Sequence, residues 1–183
     1  MNKKALVITA IAVIATIAAV VSYFVFISRN LSPPATATYG SNGFNISVDY
    51  FRPSKRRRVI FGDEKDGALQ PNGKYWRLGA NDATEITFNK DVIFGSKPVK
   101  AGRYRMYANL NELSWMISLN TELEAYGANE PDHSLDVATI DVPLEKTASV
   151  VEMFTISFDQ DAAGAKMRLA WDQSQVTIPI AVQ

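Results

Sequence analysis

Two kinds of hydrophobic patterning divide the chain. Residues 5–27 run without a charge, and only Thr9, Thr16 and Ser22 interrupt the apolar composition. From Phe44 onward the apolar positions instead recur every second residue. Phe44, Ile46, Val48 and Tyr50 alternate with Asn45, Ser47 and Asp49, and Ile86 and Phe88 with Glu85, Thr87 and Asn89. Phe154, Ile156 and Phe158 alternate with Met153, Thr155 and Ser157. Met167, Leu169 and Trp171, then Val176, Ile178 and Ile180, carry the pattern to the end. Period two is the signature of a pleated, half-buried strand. Breakers such as Pro53, Gly62, Gly79, Gly95, Gly102, Gly127, Pro143 and Gly164 fall between the segments. Short strands separated by turn signals predict an all-β domain, an antiparallel β-sandwich of jelly-roll-like kind with about nine to eleven strands. No stretch after residue 44 offers three clean helical turns; the best candidate is 120–126. Pro179 lacks a ladder donor, which places the last strand at an edge or a bulge. Trp76, Trp115 and Trp171 fall on the apolar phase and are expected in the core.

The uncharged stretch predicts a helix. Residues 5–27 make about 34 Å of α-helix, enough to cross a hydrocarbon core of about 30 Å. Tyr23, Phe24 and Phe26 crowd its far end, where aromatic rings favour the membrane–water boundary. A cleavable signal carries a shorter apolar core of about 7–15 residues. Ala35-Thr36-Ala37 resembles a cleavage site but lies well past the apolar segment. A retained single-pass anchor is therefore expected, with a removed signal as the alternative. Lys3 and Lys4 precede the span and Arg29 alone follows it before Arg52, a bias that puts the amino terminus in the cytoplasm. The expected organisation is a cytoplasmic stub at 1–4, a transmembrane anchor at 5–27, a linker at 28–43 and an extracytoplasmic domain at 44–183. The linker reading rests on Pro33-Pro34 and on the threonines, glycines, Ser41 and Asn42 that follow.

Composition then removes whole classes of chemistry. The absence of Cys excludes disulfides, Cys-ligated zinc, iron–sulfur clusters and thiol catalysis. A single His excludes a three-His metal site and HExxH zinc chemistry. Lys and Arg together number 19, as do Asp and Glu, and that balance argues against a nucleic-acid partner.

Four stretches resemble a family: Tyr50-Phe51-Arg52-Pro53-Ser54, Arg58-Val59-Ile60-Phe61-Gly62, Trp76-Arg77-Leu78-Gly79-Ala80-Asn81-Asp82-Ala83-Thr84-Glu85-Ile86 and Lys100-Ala101-Gly102-Arg103-Tyr104. They are similar to the bacterial domain-of-unknown-function family 2911 (DUF2911), over most of 44–183. Asp82 stands where that family usually has glutamate, and Arg57 where it has glycine. The resemblance implies a secreted or membrane-attached β-domain of a Gram-negative bacterium, here at the inner membrane with the domain in the periplasm. It implies no activity, so it brings no catalytic residue.

Among the residues themselves, a five-residue connection at 79–83 would set Arg77 opposite Glu85 in a hairpin, with Trp76 and Ile86 on the core side. The plain reading is a cross-strand ion pair. The functional one adds Asn81 and Arg52 to make a patch holding a carboxylate, phosphate or sugar, since the arginine fork donates two parallel bonds to a planar oxyanion. Arg52, Lys55, Arg56, Arg57 and Arg58 form a basic run, read either as a solvated loop or as a surface for anionic glycans or lipid headgroups. The candidate ligand-binding residues are thus Arg52, Arg58, Arg77, Asn81 and Glu85. No catalytic residue, metal ligand or cofactor is assigned. Ser54-Lys55 lacks SxxK spacing because position 57 is Arg. His133 sits in loop composition without a nucleophile elbow. The acidic turns at 63–67 and 159–164 lack the bidentate Glu of a full calcium loop. The leading expectation is a non-catalytic binding or interaction module for an anionic or carbohydrate ligand. A carboxylate-dependent hydrolase and an accessory subunit of an envelope assembly are the alternatives.

Overall fold

The structure, a computed structural model, describes residues 2–183. Met1, the first residue of the expected stub, lies outside them. Helix α1 spans Lys3–Leu31. Thirteen strands follow: β1 Pro34–Ser41, β2 Phe44–Phe51, β3 Phe61–Gly62, β4 Gln70–Pro71, β5 Tyr75–Trp76, β6 Thr84–Phe88, β7 Val92–Phe94, β8 Lys97–Val99, β9 Gly102–Leu110, β10 Ser114–Asn120, β11 Asp136–Pro143, β12 Glu145–Asp161 and β13 Gly164–Val182. The larger sheet runs β1-β2-β6-β9-β10-β11 with β5 added on β9, and the smaller runs β12-β13-β7-β8. Both are antiparallel.

The period-two pattern produces this architecture directly. Ile46, Val48, Ile86, Met106 and Ile117 of the larger sheet and Phe154, Leu169, Trp171 and Ile178 of the smaller join one buried cluster. All three tryptophans are buried in it. Trp76, Trp115, Phe154 and Trp171 pack with Phe61 at ring separations of 5.0–6.2 Å. Pro179 lies beyond the last β12 pair, Gln175–Glu145, and just before the first β7 pair, Ile180–Phe94, where the ladder requires no donor from it.

Over its best window helix α1 is apolar, with a mean hydropathy of 2.6, and uncovered by the rest of the protein. That length and composition belong to membrane anchors and to signal sequences alike.

Two expectations are corrected. Residues 34–41, read as part of a linker, form β1 and pair with β2 from Pro34–Phe51 to Ser41–Phe44. Ala35, Ala37 and Tyr39 turn toward the core. The alternation was hidden by small residues, but the two-residue turn Asn42-Gly43, with φ of 50° and 73°, is a strong hairpin signal. Second, Arg77 does not pair with Glu85. Tyr75 and Trp76 align with Asn109 and Ala108 of β9, while Glu85 lies between Asp49 of β2 and Arg105 of β9. Leu78 and Asn81 take left-handed backbone (φ 54° and 56°) and the Thr84 hydroxyl donates to the Leu78 carbonyl at 2.7 Å, closing a loop where a hairpin was expected. The best helical candidate, 120–126, is not helical. Its backbone bonds are taken by neighbours: Glu124 N–H donates to Glu85 and Ala83 N–H to Ala125.

Gly79 holds this loop against β2. A Cβ there would lie 2.7 Å from the Phe51 carbonyl oxygen, and its φ is +149°. Gly79→Ala is expected to cost more than about 1 kcal/mol, through backbone strain added to that clash, read as a lowered thermal midpoint.

Surface carboxylates set the acid sensitivity. Lys100 and the Ala101 N–H hold the Asp91 carboxyl below its usual range; Asp132 is lowered by Ser134 and Asp161 by Lys166. Each is depressed in the folded state, so its contribution is present above the unfolded pKa of about 3.9 and is lost as pH falls through the folded value. The thermal midpoint should fall below about pH 4, and Asp91→Asn should make that fall shallower.

Candidate functional site

Three loops and the end of α1 enclose a cavity of about 470 Å³, within the size range of small-molecule sites. The first loop, 52–58, leaves β2 and is fastened to β12. Lys55 N–H donates to the Glu152 carbonyl at 2.7 Å and Arg56 N–H to the Glu152 carboxylate at 3.0 Å. Left-handed backbone at Arg56 and Arg57 (φ 49° and 60°) turns the basic run tightly, so Arg56 and Arg58 reach the cavity wall while Lys55 pairs with Asp172 at 2.5 Å. Arg58 donates to the carbonyls of Lys55 (3.0 Å) and Ser54 (2.5 Å).

The second loop, 77–81, supplies Arg77 and Asn81. Arg77 donates to the Asn81 carbonyl at 3.0 Å and lies over the Tyr126 ring at 5.6 Å. The third loop carries Tyr126 and Ala128. Tyr75 donates to the Gly127 carbonyl at 2.8 Å, and burial pushes its phenol pKa up, keeping it a neutral donor. Leu31 and Ser32, at the end of α1, complete the wall.

Two properties distinguish this cavity. Arg56, Arg58 and Arg77 line it, and no carboxylate does. The bonds of Arg58 and Arg77 go to neutral carbonyls, which leaves their charge uncompensated. Moreover, the indole N–H groups of Trp76 and Trp171 and the Asn81 side-chain amide, all in lining residues, are buried without an acceptor. A buried donor left unpaired costs about 1–3 kcal/mol; these three atoms are inaccessible to solvent, so they sit behind the cavity wall.

A larger depression of about 840 Å³ lies beside it, with Tyr126 lining both. Four carboxylate residues line it, Asp49, Asp82, Glu85 and Glu124; Asp49 accepts from the Thr36 hydroxyl at 2.6 Å and Asp82 pairs with Arg29 at 3.1 Å, while the Glu124 carboxylate has no side-chain partner among the described residues. Glu85, 6% exposed, pairs with Arg103 at 2.5 Å and accepts the Glu124 N–H at 2.8 Å.

The structure therefore brings Arg58, Arg77 and Asn81 together and separates the other two candidates. Arg52 turns to β12, donating to the Phe154 carbonyl at 3.2 Å and the Thr155 hydroxyl at 2.9 Å, and Glu85 faces the second depression. Arg56, Tyr75, Tyr126 and the two indole N–H groups were not singled out from sequence. The basic run was the only signal for Arg56, and nothing in the local pattern marked Tyr126. His133 has its ring nitrogens at Tyr107 (2.6 Å) and Glu130 (3.1 Å), so it is presented to no serine hydroxyl. Among the described residues, no group of three or more His, Cys, Asp or Glu side chains is arranged to hold a metal ion.

A family model described as "Protein of unknown function (DUF2911)" matches residues 32–180. The chain belongs to the DUF2911 family. Neither a curated protein nor a solved structure matches it. The DUF2911 match begins at Ser32, so it takes in β1 and every cavity-lining residue except Leu31.

Proposed function

We propose that the protein is a membrane-anchored, non-catalytic module that binds a small anion in the cavity between the 52–58 and 77–81 loops, with Arg58, Arg77 and Asn81 as principal contacts and Arg56 at the wall. In this reading α1 stays in the inner membrane and the domain faces the periplasm. The observation that carries the proposal is three arginines around a cavity that no carboxylate lines. Such a site has a positive potential and planar donor forks suited to phosphate or carboxylate. The hydrolase reading has less support, because Glu85, the buried carboxylate of the neighbouring depression, accepts the Glu124 N–H and is ion-paired with Arg103, although its Oε2 makes no hydrogen bond.

Titration of the full chain in a non-ionic detergent, followed by tryptophan fluorescence, checks the reading because Trp76 and Trp171 line the cavity. Glycerol phosphate should give a saturable change, with Arg58→Gln and Arg77→Gln each raising the half-saturation point about tenfold, as expected for a lost charge-assisted bond of about 1.4 kcal/mol or more. Glucose should give none. An equal response to glucose, or no response to glycerol phosphate, would refute anion binding here.

A further inference from the structure

The cavity has one wall that is not part of the β-domain. Leu31 and Ser32 line it, Leu31 being the last residue of α1. The same end of the helix is tied to the domain beside the cavity: Arg29 pairs with Asp82 at 3.1 Å and lies over the Phe51 ring at 5.6 Å. The apolar stretch of α1 ends at Ile27, four residues earlier. At about 1.5 Å per residue, Leu31 stands about 6 Å past that boundary. A bilayer of about 30 Å of hydrocarbon measures about 40–45 Å with its headgroups, so each headgroup layer is about 5–7.5 Å deep. With α1 across the membrane, the cavity wall lies at headgroup depth.

The charges agree with that placement. Arg29, Arg56 and Arg57 are exposed, and Arg56 and Arg58 line the cavity together with Leu31. Arg56 makes no side-chain ion pair or hydrogen bond among the described residues. Basic groups at this depth are attracted to anionic lipid. An oxyanion drawn to them there meets a cavity lined by Arg56, Arg58 and Arg77 and by no carboxylate.

We infer that the anion is the phosphate-bearing headgroup of a lipid in the leaflet at the C-terminal end of α1. The inference rests on the anion-binding reading of the same cavity. It adds the source of the phosphate: the lipid's acyl chains remain beside α1 while the phosphate enters between Arg56, Arg58 and Arg77. Holding site and ligand in one membrane gives the headgroup a high effective concentration that a free solute lacks.

The test uses the full chain in nanodiscs of three compositions: phosphatidylcholine alone, with about a third of phosphatidylglycerol, or with oleic acid giving the same surface charge without an anionic phosphate. Tryptophan emission is read before and during addition of glycerol phosphate. In phosphatidylglycerol discs the emission should already match the glycerol-phosphate-saturated state and change no further. In the other two discs it should start unliganded and respond. Arg56→Gln keeps the fold, since its side chain has no bonded partner, and should restore a glycerol phosphate response in phosphatidylglycerol discs. Arg168→Gln, on β13 and paired with Asp159, should not. A starting emission in phosphatidylglycerol discs that is unliganded, with the same glycerol phosphate response as in phosphatidylcholine, would overturn the lipid source and leave the anion reading standing. Oleic acid discs that start like the phosphatidylglycerol discs would overturn it too, because occupancy would then follow membrane charge. Unliganded emission in all three discs with no response to glycerol phosphate would remove the anion reading itself, and the lipid proposal with it.

Discussion

Trp171→Ala is expected to lower stability by about 3–5 kcal/mol, the range for truncating a fully buried tryptophan. Trp171 is 0% exposed and belongs to the smaller sheet, yet its indole meets Trp76, Phe61 and Phe154 at 6.0–6.2 Å. It therefore bridges the sheets. Removing it opens a void between them that neither sheet can close without losing its ladder register, so relaxation recovers little of the lost contact. For a chain of this size the thermal midpoint in detergent should drop by about 6–20 °C. Trp171→Phe should cost much less, because it retains most of the ring volume and removes an indole N–H that has no acceptor. Equal losses for the two variants would mean that the indole nitrogen, and not ring volume, carries the stability.

Arg105→Met is expected to cost about 3 kcal/mol or more, since hydrogen bonds from a charged group contribute about 1.5–3 kcal/mol each. Arg105 is 0% exposed, an unusual place for a guanidinium. Its Nη2 donates to the Tyr75 hydroxyl at 2.7 Å and to the Asn129 carbonyl, and Nη1 lies 3.7 Å from Glu122. These partners join the outer face of β9 to the loop following β10. Met fills similar volume but supplies no donor, so the loop should detach first. Limited proteolysis should show faster cleavage within 121–135, ahead of global unfolding. A loss under about 1 kcal/mol would show that the buried charge costs about as much as its bonds return, as happens at some buried ion pairs. Because Tyr75 and Tyr126 line the cavity, a detached loop should also weaken glycerol phosphate binding.

The contrast between Trp76 and Arg77, adjacent in sequence, shows how far pattern reading reaches. Trp76 was placed in the core from its alternation phase, and it lies there, 2% exposed. Arg77 was placed opposite Glu85 by assuming that neighbouring strand segments pair with each other. In the structure β5 and β6 both join β9, at different registers, and Glu85 pairs with Arg103. Alternation assigns a side chain to a face through local pleat geometry alone. Pairing depends on which distant strand completes the ladder, and the local pattern carries no information about that choice.

From the sequence alone followed the uncharged helix, the all-β class, the buried tryptophans, and the exclusion of thiol chemistry and three-His metal sites. Each is a property of residue type or of short-range period, and hydrophobic burial enforces it whatever the topology. The tertiary structure alone decided that Arg52 turns away while Arg56, Arg58 and Arg77 converge, and that the end of α1 lines their cavity. Those arrangements bring together segments far apart in the chain, 52–58 with 77–81 and Arg52 with Phe154 among them. They are set by which backbone groups find partners and which cores fit together, and such long-range satisfaction leaves no trace in any single window of the chain.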